Sequence, residues 1–229
     1  MKKAYFITAT DTGAGKTFIT AGIAEALRRN GINIGVMKPV ESGCALKDGR
    51  LIPEDALKLK DASGTDDALD IINPYRFREP VAPNIAARLE GVEIDFEKIK
   101  NCFETLRAAH DVMLVEGAGG LLAPVTDKKT IGDLIAYLDI PLIIVANSKL
   151  GVINHTLLTF RHAIDIGLTV EGIVLNRTSD LKDQSVSFNR SEIERLTSMP
   201  LLSDIPFTKK ETPNPLGLGV FDQLAKALI

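Results

Sequence analysis

Short runs that are apolar almost throughout alternate along this chain with longer segments of helical periodicity, and that alternation excludes most folds. Met113-Leu114-Val115 and Leu142-Ile143-Ile144-Val145 contain no polar residue. A strand with one face in water shows a polar residue at every second position, so a strand without them is covered on both faces. Strands are expected over 4–9, 33–38, 112–115, 141–146 and 170–175, with a sixth over 201–205. Helices are expected over 16–30, 96–109, 131–138, 152–166 and 190–197. A closing helix is expected over 220–228, after the turn residues Pro215, Gly217 and Gly219. In the first helix Phe18, Ile19, Ile23, Ala26 and Leu27 fall on one stripe, and Gly31 stops it. Strands alternating with helices make βαβ units. The expected fold is therefore α/β, a doubly wound and mostly parallel sheet with helices on both faces, in a single domain over residues 1–229. The stretch 73–83, with Pro74, Pro80 and Pro83, reads as a long loop, and long loops in compact domains are often functional.

Composition narrows the partners. The 229 residues suffice to bury the core of one such domain. A net charge of −3 supplies no basic footprint, which argues against nucleic acid as a partner. No apolar run approaches the length of a membrane span. Lys2 and Lys3 precede a short apolar stretch, but Asp11 interrupts it before a secretory segment forms. Two cysteines, Cys44 and Cys102, do not make a disulfide framework, so a reducing cytoplasm is the expected compartment. Cys102 falls in a helical pattern and reads as a small buried hydrophobe, and Cys44 reads as structural.

The strongest local signal is Ala9-Thr10-Asp11-Thr12-Gly13-Ala14-Gly15-Lys16-Thr17, between a predicted strand and a predicted helix. Gly13 and Gly15 permit a backbone that a Cβ would block. The turn then aims amide N–H groups and a helix N-terminus at an anion. Lys16 supplies a cation for the outer phosphates of a nucleotide, and the Thr17 hydroxyl is a ligand for Mg²⁺. The fold class becomes P-loop NTPase-like. Thr10 stands where the strict motif has Gly, and Asp11 puts a carboxylate inside the loop, which suits a cationic group such as an amine.

Four further segments lie at strand ends, where open α/β sheets bind ligands. Val112 to Glu116 ends in a carboxylate and enters the turn Gly117-Ala118-Gly119-Gly120, the place where P-loop proteins meet a metal. Lys38, in Lys38-Pro39-Val40-Glu41-Ser42-Gly43, can offset charge that develops during phosphoryl transfer. Lys149 to His155 forms a turn at a helix start, suited to a carboxylate, with His155 itself read as a helix-face residue. Asn176 can bond a base edge, but Arg177 and Ser179 do not match the Lys and Asp of a guanine-reading motif, and Pro206 stands at the same edge. After Pro53, Glu54 and Asp55 either favour a helix N-terminus or supply a second metal carboxylate, and their chemistry alone does not choose between these.

In order along the chain, Thr10-Asp11-Thr12 with Gly15-Lys16-Thr17, Lys38-Pro39-Val40 with Ser42-Gly43, and Glu54-Asp55-Ala56 resemble the dethiobiotin synthetase family. Asn73-Pro74-Tyr75 through Glu79-Pro80, Glu116 to Gly120, Lys149-Leu150-Gly151 with Ile153-Asn154-His155, and Asn176 continue the resemblance. Ala9 departs from the family's usual Gly, and the region after Asp180 matches loosely. The resemblance implies an ATP-dependent cyclo-ligase that makes dethiobiotin, ADP and phosphate from 7,8-diaminopelargonic acid, CO₂ and ATP. It implies catalytic roles for Lys16, Lys38 and Thr12. It implies a nucleotide site of Asp11, Thr12, Gly13, Ala14, Gly15, Lys16 and Thr17 with Asn176 and Pro206. Thr12, Lys38, Ser42 and Gly119 would bind substrate with Gly151, Val152 and Asn154, and Thr17, Asp55 and Glu116 would hold Mg²⁺. A homodimer is implied, with the 151–154 turn of one subunit receiving the tail carboxylate of substrate bound to the other. The competing reading is a switch ATPase of the ParA/MinD type. Those carry an extra Lys five places before the loop Lys, and here that place is Asp11.

Overall fold

The computed structural model describes residues 2–180, 182–209 and 219–229. The first half runs β1 (Lys3–Ala9), α1 (Lys16–Arg29), β2 (Ile34–Met37), β3 (Val40–Glu41), β4 (Ala45–Lys47), β5 (Arg50–Ile52), α2 (Glu54–Ser63), α3 (Leu69–Ile72), β6 (Tyr75–Arg76), α4 (Pro83–Leu89) and α5 (Phe96–Ala109). The second half runs β7 (Val112–Glu116), α6 (Ile131–Leu138), β8 (Leu142–Asn147), α7 (Val152–Asp165), β9 (Val170–Asn176), α8 (Val186–Thr197), β10 (Leu201–Ile205) and α9 (Gly219–Leu228).

Six strands form one sheet in the order β10-β9-β8-β1-β7-β2, and every pairing in it is parallel. All of β7 is buried, and so is β1 beyond Lys3 and β8 before Asn147, as expected for strands covered on both faces. β1 lies between β7 and β8, so the chain leaves the centre of the sheet toward one side and returns to the other. A crevice opens at such a point outside the carboxyl ends of the strands. Because the sheet is parallel, the ends of all six strands share that one edge.

Helix ends follow local chemistry. Thr130 and Asp133 make a reciprocal capping box that starts α6 where the sequence predicts. Asp95 caps α5 by accepting the Glu97 N–H at 2.9 Å. α1 packs against α2 and α9. The Phe18 and Phe221 rings meet edge to face there, 5.4 Å apart. At Gly22 a Cβ would stand 2.3 Å from the Phe221 ring, so glycine is what lets α9 approach.

The structure differs from the sequence reading in several short elements. The 73–83 stretch is not a plain loop. Its Tyr75 and Arg76 form β6, parallel to β3, and α4 begins at Pro83. β4 and β5 form a hairpin across Asp48-Gly49, both with positive φ (50° and 73°), the backbone a two-residue hairpin turn needs. α8 starts at Val186, a turn earlier than position 190. Asp183 accepts from both the N–H and the hydroxyl of Ser185, which organises that serine-rich approach. Gly219 opens α9 rather than preceding it, and Pro215 and Gly217 lie outside the described residues. Cys44 is buried and Cys102 is half-buried, and both are free thiols. No helix of the described residues is long and apolar enough to cross a membrane.

Candidate functional site

Most of the sequence-predicted site residues lie at the carboxyl edge of the sheet because they follow or end its strands, whereas Asp55 is in the first turn of α2 and Ser42 follows β3 outside that sheet. The turn over 10–15 joins β1 to α1, and Lys38 comes directly after β2. Glu116 is the last residue of β7, Asn176 the last of β9, and Pro206 follows β10.

α1 is preceded by Gly15, which has φ 92° and provides no side-chain cap. The first N–H groups of the helix therefore have neither an intrahelical acceptor nor a capping oxygen, which is the condition for holding phosphate. Beneath this turn the Asn176 amide donates to Ala14 O at 2.8 Å. A Cβ on Gly15 would meet that amide nitrogen at 2.2 Å. Asn176 thus braces the phosphate loop, a contact its place in the sequence did not disclose. In the loop itself, Asp11 accepts the Thr12 N–H at 2.7 Å, and Asp11 and Thr12 are exposed.

A charged cluster lies behind the loop. Lys38 is 3% exposed, and its ammonium donates to Glu116 Oε1, to Asp55 Oδ2 at 3.3 Å and to Gly117 O at 3.3 Å. Thr17 Oγ1 donates to the same Glu116 oxygen at 2.9 Å. Burial alone would lower the Lys38 pKa, but Glu116 and Asp55 outweigh it and hold the ammonium above its usual value. Burial would likewise raise Asp55, and the charge and hydrogen bond of Lys38 hold it below the usual carboxylate range. Lys16, also buried, is pushed down to about 8 by desolvation and by the charge of Lys38. The two carboxylates after Pro53 point in different directions. Glu54 is exposed and pairs only loosely with Lys58 at 3.8 Å, while Asp55 faces Lys38.

The donor set fits a small divalent cation. Glu116 is fully buried, and its Oε2 has no partner in the protein, an arrangement that is costly unless a cation completes it. Thr17 and Asp55 add a hydroxyl and a second carboxylate. Among the described residues no group of three or more His, Cys, Asp and Glu side chains forms a cage. A hydroxyl with two carboxylates suits Mg²⁺, which keeps its waters and takes one or two carboxylates together with substrate phosphates.

The remaining substrate-site candidates are placed as follows. Gly119 comes close to Thr12, whose Oγ1 would lie 3.9 Å from a Cβ there. Ser42 is half-buried in the segment after β3. Gly151, Val152 and Asn154 start α7, one strand over from the phosphate loop, with Val152 buried and Asn154 exposed. They make no recorded hydrogen bond to the Lys38 cluster among the described residues. His155 is exposed on α7. Burial, with Glu41 nearby, pushes the Cys44 thiol up to about 11, so it is protonated at neutral pH.

Asn73 was legible only as part of a motif. It is fully buried, and its amide donates to Lys38 O at 2.7 Å and Tyr75 O at 3.1 Å, while Lys38 N–H bonds Ile72 O. It therefore fixes the backbone that carries Lys38. A buried Asn beside a proline gives no such hint in sequence, because the bond spans 35 positions.

Fold and site together define a P-loop nucleotide-binding protein with a parallel α/β sheet. A family described as "AAA domain" matches residues 3–214. Similar solved structures include a ParA family ATPase from Chlorobium tepidum, with TM-score 0.57, 19% identity, and 99% of this chain and 96% of that one covered. Another is the septum site-determining protein MinD of Pyrococcus horikoshii in complex with Mg-ADP, with TM-score 0.56 and 18% identity over 99% and 95% of the two chains. At these identities they establish the fold alone. Much nearer in sequence is the ATP-dependent dethiobiotin synthetase BioD of Thermodesulfovibrio yellowstonii, 38% identical over 225 residues, or 95% of this chain and 94% of that one. The enzymes of the same name from Methanocaldococcus jannaschii (43%, covering 78% and 81%) and Bacillus subtilis (38%, covering 89% and 87%) agree. The chain belongs to the ATP-dependent dethiobiotin synthetase family.

Proposed function

We propose that this chain is a cyclo-ligase of biotin biosynthesis, which uses ATP to close the ureido ring of dethiobiotin from 7,8-diaminopelargonic acid and CO₂. The observation that carries the reading is the meeting of Lys16, Lys38, Asp55 and Glu116 beside the phosphate loop, on a chain that its named relatives match nearly end to end.

One substrate amine attacks CO₂, forms an N–C bond and loses a proton, giving a carbamate. A carbamate oxygen attacks the γ-phosphorus, and the bond to the ADP oxygen breaks. The second amine attacks the carbonyl carbon, phosphate leaves with the bonding pair, and the ring closes as that nitrogen loses its proton. Little covalent work falls to the protein, and positioning and fixed charge provide most of the acceleration. Lys16 and Lys38 flank the transferred phosphoryl group and offset its charge. Thr12, Ser42 and Gly119 hold the diamine and its carbamate, and Asp11 helps to place an ammonium end. Asn176 and Pro206 border the nucleotide base. Thr17, Asp55 and Glu116 would hold Mg²⁺, which when bound draws negative charge from the phosphates.

The protein acts in the cytoplasm as a single domain paired in a homodimer. Gly151, Val152 and Asn154 of one subunit receive the tail carboxylate of substrate bound to the other. This is supported by two large apolar side chains left exposed near that turn, Leu150 (79%) just before α7 and Leu158 (62%) on it.

The test is phosphate release from MgATP by purified protein. Release that requires both the diamine and bicarbonate is expected. Release indifferent to the diamine would replace this reading with that of a switch ATPase.

A further inference from the structure

Helix α2 carries Asp55 in its first turn but has no cap of its own. The residue before it is Pro53, which makes no side-chain cap bond. The N–H groups of Asp55 and Ala56, which a Ser, Thr or Asp cap would normally take, are instead taken by one distant carboxylate. Glu41 Oε1 accepts from Asp55 N at 2.9 Å, and Oε2 accepts from Ala56 N at 3.0 Å. Glu41 lies 14 positions away from Asp55 and is only 6% exposed. It is itself held in β3, whose Glu41 carbonyl accepts the Phe77 N–H at 2.8 Å.

Two bonds to successive amides fix both the rotation and the axial position of a helix start. Lys38 lies three residues before Glu41 on the same segment and reaches the Asp55 side chain, while Glu41 grips the Asp55 backbone. We infer that Glu41 is a positioning residue, which sets where the Asp55 carboxylate stands and thereby the affinity for the divalent cation that accompanies the nucleotide. Glu41 acts through Asp55, since both of its carboxylate oxygens are taken by the N–H groups of Asp55 and Ala56. The inference rests on the reading of Asp55 as a metal ligand. Residues that orient a metal's ligands commonly matter about 10- to 100-fold for metal affinity.

The experiment uses Mn²⁺ as the probe on the full-length protein with saturating ADP, with free Mn²⁺ counted by electron paramagnetic resonance. ADP affinity in EDTA serves as a control on the fold. E41A is expected to weaken Mn²⁺ binding by about 10-fold or more while ADP binding in EDTA is unchanged. E41Q keeps one acceptor for one of the two N–H groups and is expected to fall between E41A and wild type. D55N separates the two ideas. If D55N weakens Mn²⁺ binding and E41A does not, Glu41 has no positioning role. If neither variant weakens it, Asp55 is not a ligand and both readings fall. If E41A loses ADP affinity in EDTA as well, Glu41 serves the fold in general and the inference is overturned.

Discussion

Two lysines at one site carry opposite perturbations, and each leads to a different experiment. Lys16 is buried beside another cation and titrates near 8. Nucleotide phosphates favour its charged form, so anion binding is at full strength below that value and weakens above it. The expected outcome is a kcat/KM for ATP that falls as pH rises through about 8, since this parameter reports the free enzyme. The kcat limb should move to higher pH, because bound phosphates hold the proton. Lys38 is instead the cation that keeps Glu116 tolerable inside the protein. In K38A a fully buried carboxylate loses the ammonium it pairs with, and breaking a buried pair costs about 3–5 kcal/mol. Denaturant midpoints should show that loss, and turnover should fall by orders of magnitude while nucleotide still binds. The double variant K38M/E116Q should recover stability but not turnover, which separates the structural role of the pair from its chemical one.

At the scale of elements, the contact of α1 with α9 depends on an absent side chain. Gly22→Val would place atoms inside the Phe221 ring, and overpacking of this kind costs about 1–3 kcal/mol. Thermal unfolding of G22V is expected to shift down by several degrees. Combining it with F221L should restore part of the loss, since the smaller side chain vacates the space. If G22V melts like wild type, α9 does not pack as described. The elements that the sequence disclosed are those that are long or capped. α5 and α6 run where periodicity and caps place them. The two-residue strands β3 and β6 have no periodicity to read, and they exist because they pair with each other across 35 positions. The Asp48-Gly49 hairpin was legible in principle, because its turn residues are those that accept positive φ. Its strands are short and mostly exposed, which leaves a weak pattern around the turn.

For the whole molecule the exposed leucines on and just before α7, Leu158 and Leu150, predict association. L158D should convert a dimer to a monomer by light scattering, because a buried charge opposes an apolar contact. If the partner subunit completes the substrate site, the variant should raise KM for the diamine far more than KM for ATP. A wild-type monomer with full activity would remove the homodimer and the shared site together.

The sequence by itself determined the parallel sheet, the phosphate loop and the family, because these rest on local order: apolar runs, a glycine turn at a strand end, and motifs in succession. Lys16, Thr17, Lys38 and Glu116 were nameable for the same reason, since each sits at a fixed distance from a strand end. The tertiary structure decided which carboxylate after Pro53 faces the site, where the Asn176 amide goes, and what holds Asp55 and Lys38 in place. Those answers come from bonds between segments that only the fold brings together, the six-stranded sheet for Asn176 and the separate β3–β6 pair for Glu41 and Asn73. Charge and hydrogen-bond complementarity act over a few ångströms in space, and spacing along the chain does not reveal which distant residues come that close.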